Sequence, residues 1–219
     1  MSTYDIYYLD ILGRAETAKL ILLLAGEKYE SKDIKFEDWP EAQKDAPFGV
    51  VPYLVEHQED GSKFVLGESH AIERYLARKF GFLGKNNQEM AFLESVCDSG
   101  SYMGEKFFAA LDLEGESKEK ATKQFYEEVI PKYIRSHESL LAKNGNGYYL
   151  GQEFTVAEFL NMQMIRLING VTGKEIFSEA QSPNIWKMYQ NVRNHSAFDE
   201  YFEVSEAKLK KLHEKLKPS

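Results

Sequence analysis

Hydrophobic periodicity changes character near residue 81, and this limits the folds open to the chain more than any other feature. Before it, short β-type runs alternate with helical ones. Tyr4–Leu9 is aromatic and β-branched and reads as a strand. Arg14–Ala25 carries strong helix formers and stops at Gly26. Tyr29–Lys35, Val50–Glu56 and Lys63–Leu66 read as further strands, the last two joined through an Asp60-Gly61 hairpin turn. Ser69–Phe80 sets Ile72, Tyr75, Leu76 and Phe80 at helical spacing. The order strand, helix, strand, hairpin, helix predicts a small mixed sheet covered by helices.

Beyond the Gly81–Asn87 connection almost every periodic segment is helical. Gln88–Leu113 is one such segment, and Lys118–Lys143 is a second, which Pro131 should kink or shift. Thr155-Val156-Ala157-Glu158 is a capping box opening a helix that is apolar nearly all round, which belongs at the centre of a bundle. Pro183–Asn194 and Val204–Leu216 complete the set. The fold expected is therefore α/β plus all-α, with residues 1–82 as the α/β unit and 88–219 as a helical domain.

Composition removes several classes of function. With 35 acidic against 27 basic side chains the net charge is −8, which opposes non-specific nucleic-acid binding. The N-terminus has no basic stretch followed by an apolar one, and the longest strongly apolar run, Leu20–Ala25, is too short for a bilayer. A cytoplasmic protein without membrane or nucleic-acid partners is expected. The single cysteine, Cys97, excludes an internal disulfide or a Cys-x-x-Cys motif and reads as a packing residue. The five histidines are scattered, so no metal site is expected, and there is no phosphate loop or nucleophile elbow.

Candidate chemistry gathers in the first domain. Tyr8 ends a strand and is followed by Asp10-Ile11-Leu12-Gly13 and Arg14, the place where α/β folds bind ligands. Ser69, after Glu68, stands at a helix N-terminus that suits a carboxylate. Trp39-Pro40 reads as a loop that could wall the ligand. Against this, strand tyrosines often only pack, and a serine before a helix is often only a cap. Gly100 and Gly104 in the first long helix mean either close approach of another element, a hint of a subunit contact, or a local break.

The segments Tyr8–Glu16, Phe36–Pro40, Pro47–Pro52, Glu68–Ala77 and Leu150–Phe159 occur in order at compatible separations. Together they resemble the cytosolic glutathione S-transferases of the sigma type, relatives of prostaglandin D synthases and S-crystallins. The resemblance implies a thioredoxin-like first domain, an all-helical second domain, a homodimer, and glutathione as co-substrate without a further cofactor. It also implies a detoxifying transferase that joins the glutathione thiolate to hydrophobic electrophiles. Glutathione peroxidase or prostaglandin isomerase activity on the same site, a hydrophobic-ligand carrier and a crystallin-like protein are the alternatives.

Residue by residue, the resemblance makes Tyr8 the tyrosine whose hydroxyl donates to the glutathione sulfur. Val51 would pair with the tripeptide backbone beside a cis-Pro52, while Glu68 and Ser69 would hold the γ-glutamyl end. Arg14 and Trp39 would line the same site. Gln43 stands where a lysine is usual, so it or Lys44 would hold the glycyl carboxylate. An acidic residue reaching from the partner subunit is replaced near Tyr102, with Asp98 one turn earlier. Leu9, Met103, Phe107 and Phe108 would line the electrophile pocket, if they are not simply bundle core. The chemistry requires a thiol of pKa about 8.5 to be lowered by about two units, or about 2.7 kcal/mol. One hydrogen bond to a charged acceptor supplies about 1.5–3 kcal/mol.

Overall fold

The computed structural model describes residues 3–216. Strand β1 (Thr3–Leu9) runs parallel to β2 (Tyr29–Ile34) and antiparallel to β3 (Tyr53–His57), and β3 pairs with β4 (Lys63–Gly67), giving the order β2-β1-β3-β4. Strand alternation sends Tyr4, Ile6 and Tyr8 into the main core, which also holds Leu20 and Ile21 of α1 (Glu16–Leu24) and Ile72 and Leu76 of α3 (Ser69–Phe80). Tyr7 takes the other face, where its ring stacks on Tyr53 at 4.3 Å and Trp39, Ala46 and Val51 pack nearby.

The second domain contains α4 (Asn87–Leu111), α5 (Gly115–Gln124), α6 (Ile130–Asn144), α7 (Val156–Thr172), α8 (Pro183–Arg193) and α9 (Asp199–Leu216). Helix α7 is buried on nearly every side, as its all-round apolar sequence requires. Its capping box forms: Glu158 accepts the Thr155 N–H at 2.7 Å, and Thr155 Oγ1 accepts the Ala157 N–H at 3.3 Å. The core is continuous between the domains. The Val156 N–H bonds to Phe82 O at 2.9 Å, and Tyr201 of α9 donates to the buried Glu16 of α1 at 2.8 Å. Lys208 of α9 pairs with Asp10, just beyond β1, at 3.0 Å and also with Asp33 of β2.

Several local expectations change. Trp39-Pro40 is not a loop but opens the short helix α2 (Trp39–Ala42), where a first-turn proline lacks only an N–H that would be unpaired anyway. Strand β3 begins at Tyr53 rather than Val50, because Pro52 has no N–H to give to a ladder. The segment expected at Lys118–Lys143 divides into α5, a π-type turn over Phe125–Val129, and α6, with Pro131 in the first turn of α6. Helix α9 starts at Asp199, not Val204, following a turn at Ser196–Phe198 whose first N–H groups include one bonded to His195 Nδ1.

Helix α4 runs unbroken through Gly100 and Gly104. A Cβ on Gly100 would meet Asn161 and Leu160, and one on Gly104 would meet Met164, all on α7. The close approach lies within the chain, so the hint of a subunit contact is withdrawn.

Candidate functional site

Tyr8 is buried at the end of β1, and its hydroxyl oxygen accepts the backbone N–H of Arg14 at 3.1 Å. Gly13 makes this possible, since a Cβ there would run into the Tyr8 ring and hydroxyl. Burial pushes the Tyr8 hydroxyl above its ordinary pKa, with the Arg14 N–H pulling the other way. The group therefore stays protonated at neutral pH. One lone pair is held by the loop, and the O–H has no acceptor among the described residues.

At the start of α3, Glu68 adopts φ 69°, ψ 115°, a strained conformation for a residue with a side chain. No side chain caps this helix, so its first-turn N–H groups remain open to an anion, beside the buried Ser69. Between this terminus and the helical domain lies a small cavity of about 30 Å³. Arg14, Ser69, His70 and Glu73 line it on one side; Ser101, Glu105 and Phe108 of α4 and Met164 of α7 line it on the other.

Other sequence candidates lie further along the sheet end. The Val51–Pro52 peptide is cis, and Val51 and Trp39 pack against Tyr7 and Tyr53. Gln43 donates to Gly49 O at 2.9 Å, and Lys44 pairs with Glu41. Glu68 is exposed. Asp98 is paired with Arg74 of its own chain, and Tyr102 is half-exposed with Lys106 over its ring.

The four apolar candidates separate. Phe108 lines the cavity beside Arg14, but Met103 is fully buried in the core. Phe107 faces a different cavity of about 410 Å³ with Phe125, Tyr126, Val171 and Leu216. Leu9 is partly buried at the end of β1. Cys97 is buried, and burial pushes its thiol pKa well up, as befits an inert packing residue.

Sequence reasoning passed over His70, Glu73, Ser101, Glu105 and Met164. A signal was present for part of this set: Ser101, Gly104, Glu105 and Phe108 follow the spacing of one helix face.

Residues 4–78 match the family model described as glutathione S-transferase, N-terminal domain, and residues 103–205 match glutathione S-transferase, C-terminal domain. Glutathione S-transferase 1 of Ascaris suum is 37% identical over 164 residues, covering 73% of this chain and 77% of that protein. This chain belongs to the glutathione S-transferase family. Among solved structures, this family member superposes on the sigma class enzyme of Fasciola hepatica with TM-score 0.83 at 23% identity, over 93% of this chain and 97% of that one. A Necator americanus glutathione S-transferase described as monomeric gives TM-score 0.78 at 29% identity, over 92% and 97% of the two chains. The family and its relatives support glutathione conjugation as the activity, and the sheet and bundle are the fold they share.

Proposed function

We propose that the Tyr8 hydroxyl holds the sulfur of glutathione as a thiolate while it attacks a hydrophobic electrophile. The observation that carries this reading is the Tyr8 hydroxyl itself, buried and with its oxygen accepting the Arg14 N–H at 3.1 Å. A single O–H donating to an anion contributes about 1.5–3 kcal/mol, close to the roughly 2.7 kcal/mol that a two-unit fall in thiol pKa requires. The thiol proton passes to solvent, the sulfur lone pair forms the new bond to the electrophilic carbon, and with an aryl halide the carbon–halogen bond breaks and the halide leaves with its bonding pair.

The open N-terminus of α3, with Ser69, suits the γ-glutamyl carboxylate, and Arg14 adds positive charge nearby. The backbone of Val51 suits strand-like pairing with the tripeptide. Gln43 or Lys44 would leave its present partner to hold the glycyl carboxylate. Phe108 and Met164 face the same cavity from the helical domain and give the electrophile apolar surface. The reading places the enzyme in the cytoplasm as a homodimer, with Phe48, 79% exposed, as apolar surface for a second copy to cover.

Tyr8→Phe tests the central role. With a nitroaryl halide as electrophile, kcat should fall about 10- to 100-fold while the KM for glutathione stays within about twofold. Loss of glutathione binding with turnover retained would overturn the assignment.

A further inference from the structure

Beside Ser69, helix α3 carries two titratable side chains that the thiolate chemistry does not use. Glu73 is 5% exposed, and its Oε2 is 2.9 Å from Nδ1 of His70, whose side chain is 34% exposed. Both line the small cavity with Arg14 and Ser69. The imidazole therefore rests on a buried carboxylate at one nitrogen, and its Nε2 has no partner among the described residues. The charged groups around the ring are Glu73 and Arg74 on its own helix, Arg14 from the β1–α1 loop and Glu105 from α4; α1 contributes the neutral Thr17.

We propose that His70 is a further glutathione-binding residue, its Nε2 giving a charge-assisted hydrogen bond to the ligand carboxylate at the open N-terminus of α3. The inference rests on the glutathione reading above and adds to it a binding group. His70 follows Ser69 directly, where free N–H groups already favour an anion. An imidazole bonded to a carboxylate keeps its proton: the Glu73 hydrogen bond raises the His70 pKa, with partial burial and the two arginines acting against it. Burial pushes the Glu73 carboxyl up as well, so the charged pair exists between the two ionisations. Below the raised His70 pKa the ring is a cation and the carboxylate is held. Above it that charge is lost and affinity falls.

S-methylglutathione tests this, because its sulfur carries no proton and the pH profile then reports the protein. Its Kd, followed by tryptophan fluorescence or calorimetry from pH 5.5 to 7.5, below the range where the ligand's own α-ammonium group titrates, should rise about fivefold in the unaltered chain. His70→Asn should flatten the profile, and Glu73→Gln should move its midpoint to lower pH. A His70→Asn profile superimposable on the unaltered one overturns the inference and leaves the glutathione reading standing. Failure of the unaltered chain to bind S-methylglutathione at any pH overturns the glutathione reading, and this inference with it. His70→Asn alters a partly exposed side chain, so the test survives if Glu73→Gln does not fold.

Discussion

Gly13 is glycine because the Tyr8 hydroxyl occupies the space where a side chain would begin. Gly13→Ala must therefore move either the tyrosine ring or the loop whose Arg14 N–H orients it. The expected result is a fall in kcat of about tenfold, with the KM for glutathione little changed, read by steady-state kinetics at pH 7. The position of Tyr8 was legible from the sequence because strand alternation and a following Gly-Arg pair are both local signals. The His70–Glu73 pair was not. Its significance depends on which face of α3 meets α4 and α7, and helical spacing alone does not carry that information. Gln43 and Lys44 teach the same lesson, since their contacts with Gly49 and Glu41 arise from how the chain turns after α2.

Among the elements, α4 and α7 approach most closely where α4 carries glycine. Gly100→Ala gains about 1 kcal/mol of helix propensity but places a methyl against Asn161 Oδ1. That oxygen accepts the buried Tyr133 hydroxyl at 2.7 Å, so the substitution disturbs a hydrogen bond inside the core. A net loss of about 1–2 kcal/mol is expected, read as a lower urea midpoint with an unchanged m-value. Element identity was largely legible: α3 and the α7 capping box fall where the pattern puts them. The π-type turn before Pro131 was not, because a proline in a helical pattern announces an irregularity without specifying its form.

At the scale of the whole molecule, acid sensitivity has a specific source. His137 is buried on α6, 2.6 Å from the Tyr149 hydroxyl through Nδ1 and 3.0 Å from Ser99 Oγ through Nε2, with its ring stacked on Tyr133 at 3.9 Å. Burial pushes its pKa down to about 4 from the usual 6.5. Between those values the unfolded chain binds a proton that the folded chain refuses. Stability is full above about pH 6.5 and declines as the pH falls toward 4, by about 2 kcal/mol at pH 5 from this residue. Urea titrations at pH 7 and pH 5 should show that loss, and His137→Gln should reduce the difference. Association is a separate matter: sizing chromatography should give twice the chain mass of 25.2 kDa if the homodimer forms, and a single-chain mass would remove it. The two-domain plan was visible in the change of periodicity, but the shared core was not, because it is made by residues far apart in the chain.

The bond from Val156 N–H to Phe82 O fixes the connector to the most buried helix, and Tyr201 and Lys208 tie the last helix back to the first domain. Any widening of the space between the domains has to break these ties. On the proposed reading, a bulky electrophile is admitted by the side chains that line the small cavity, and of its apolar residues Met164, with three rotatable bonds and a soft sulfur, is the best able to yield. On that reading, tolerance for molecular size is set less by motion between domains than by the reach of one thioether.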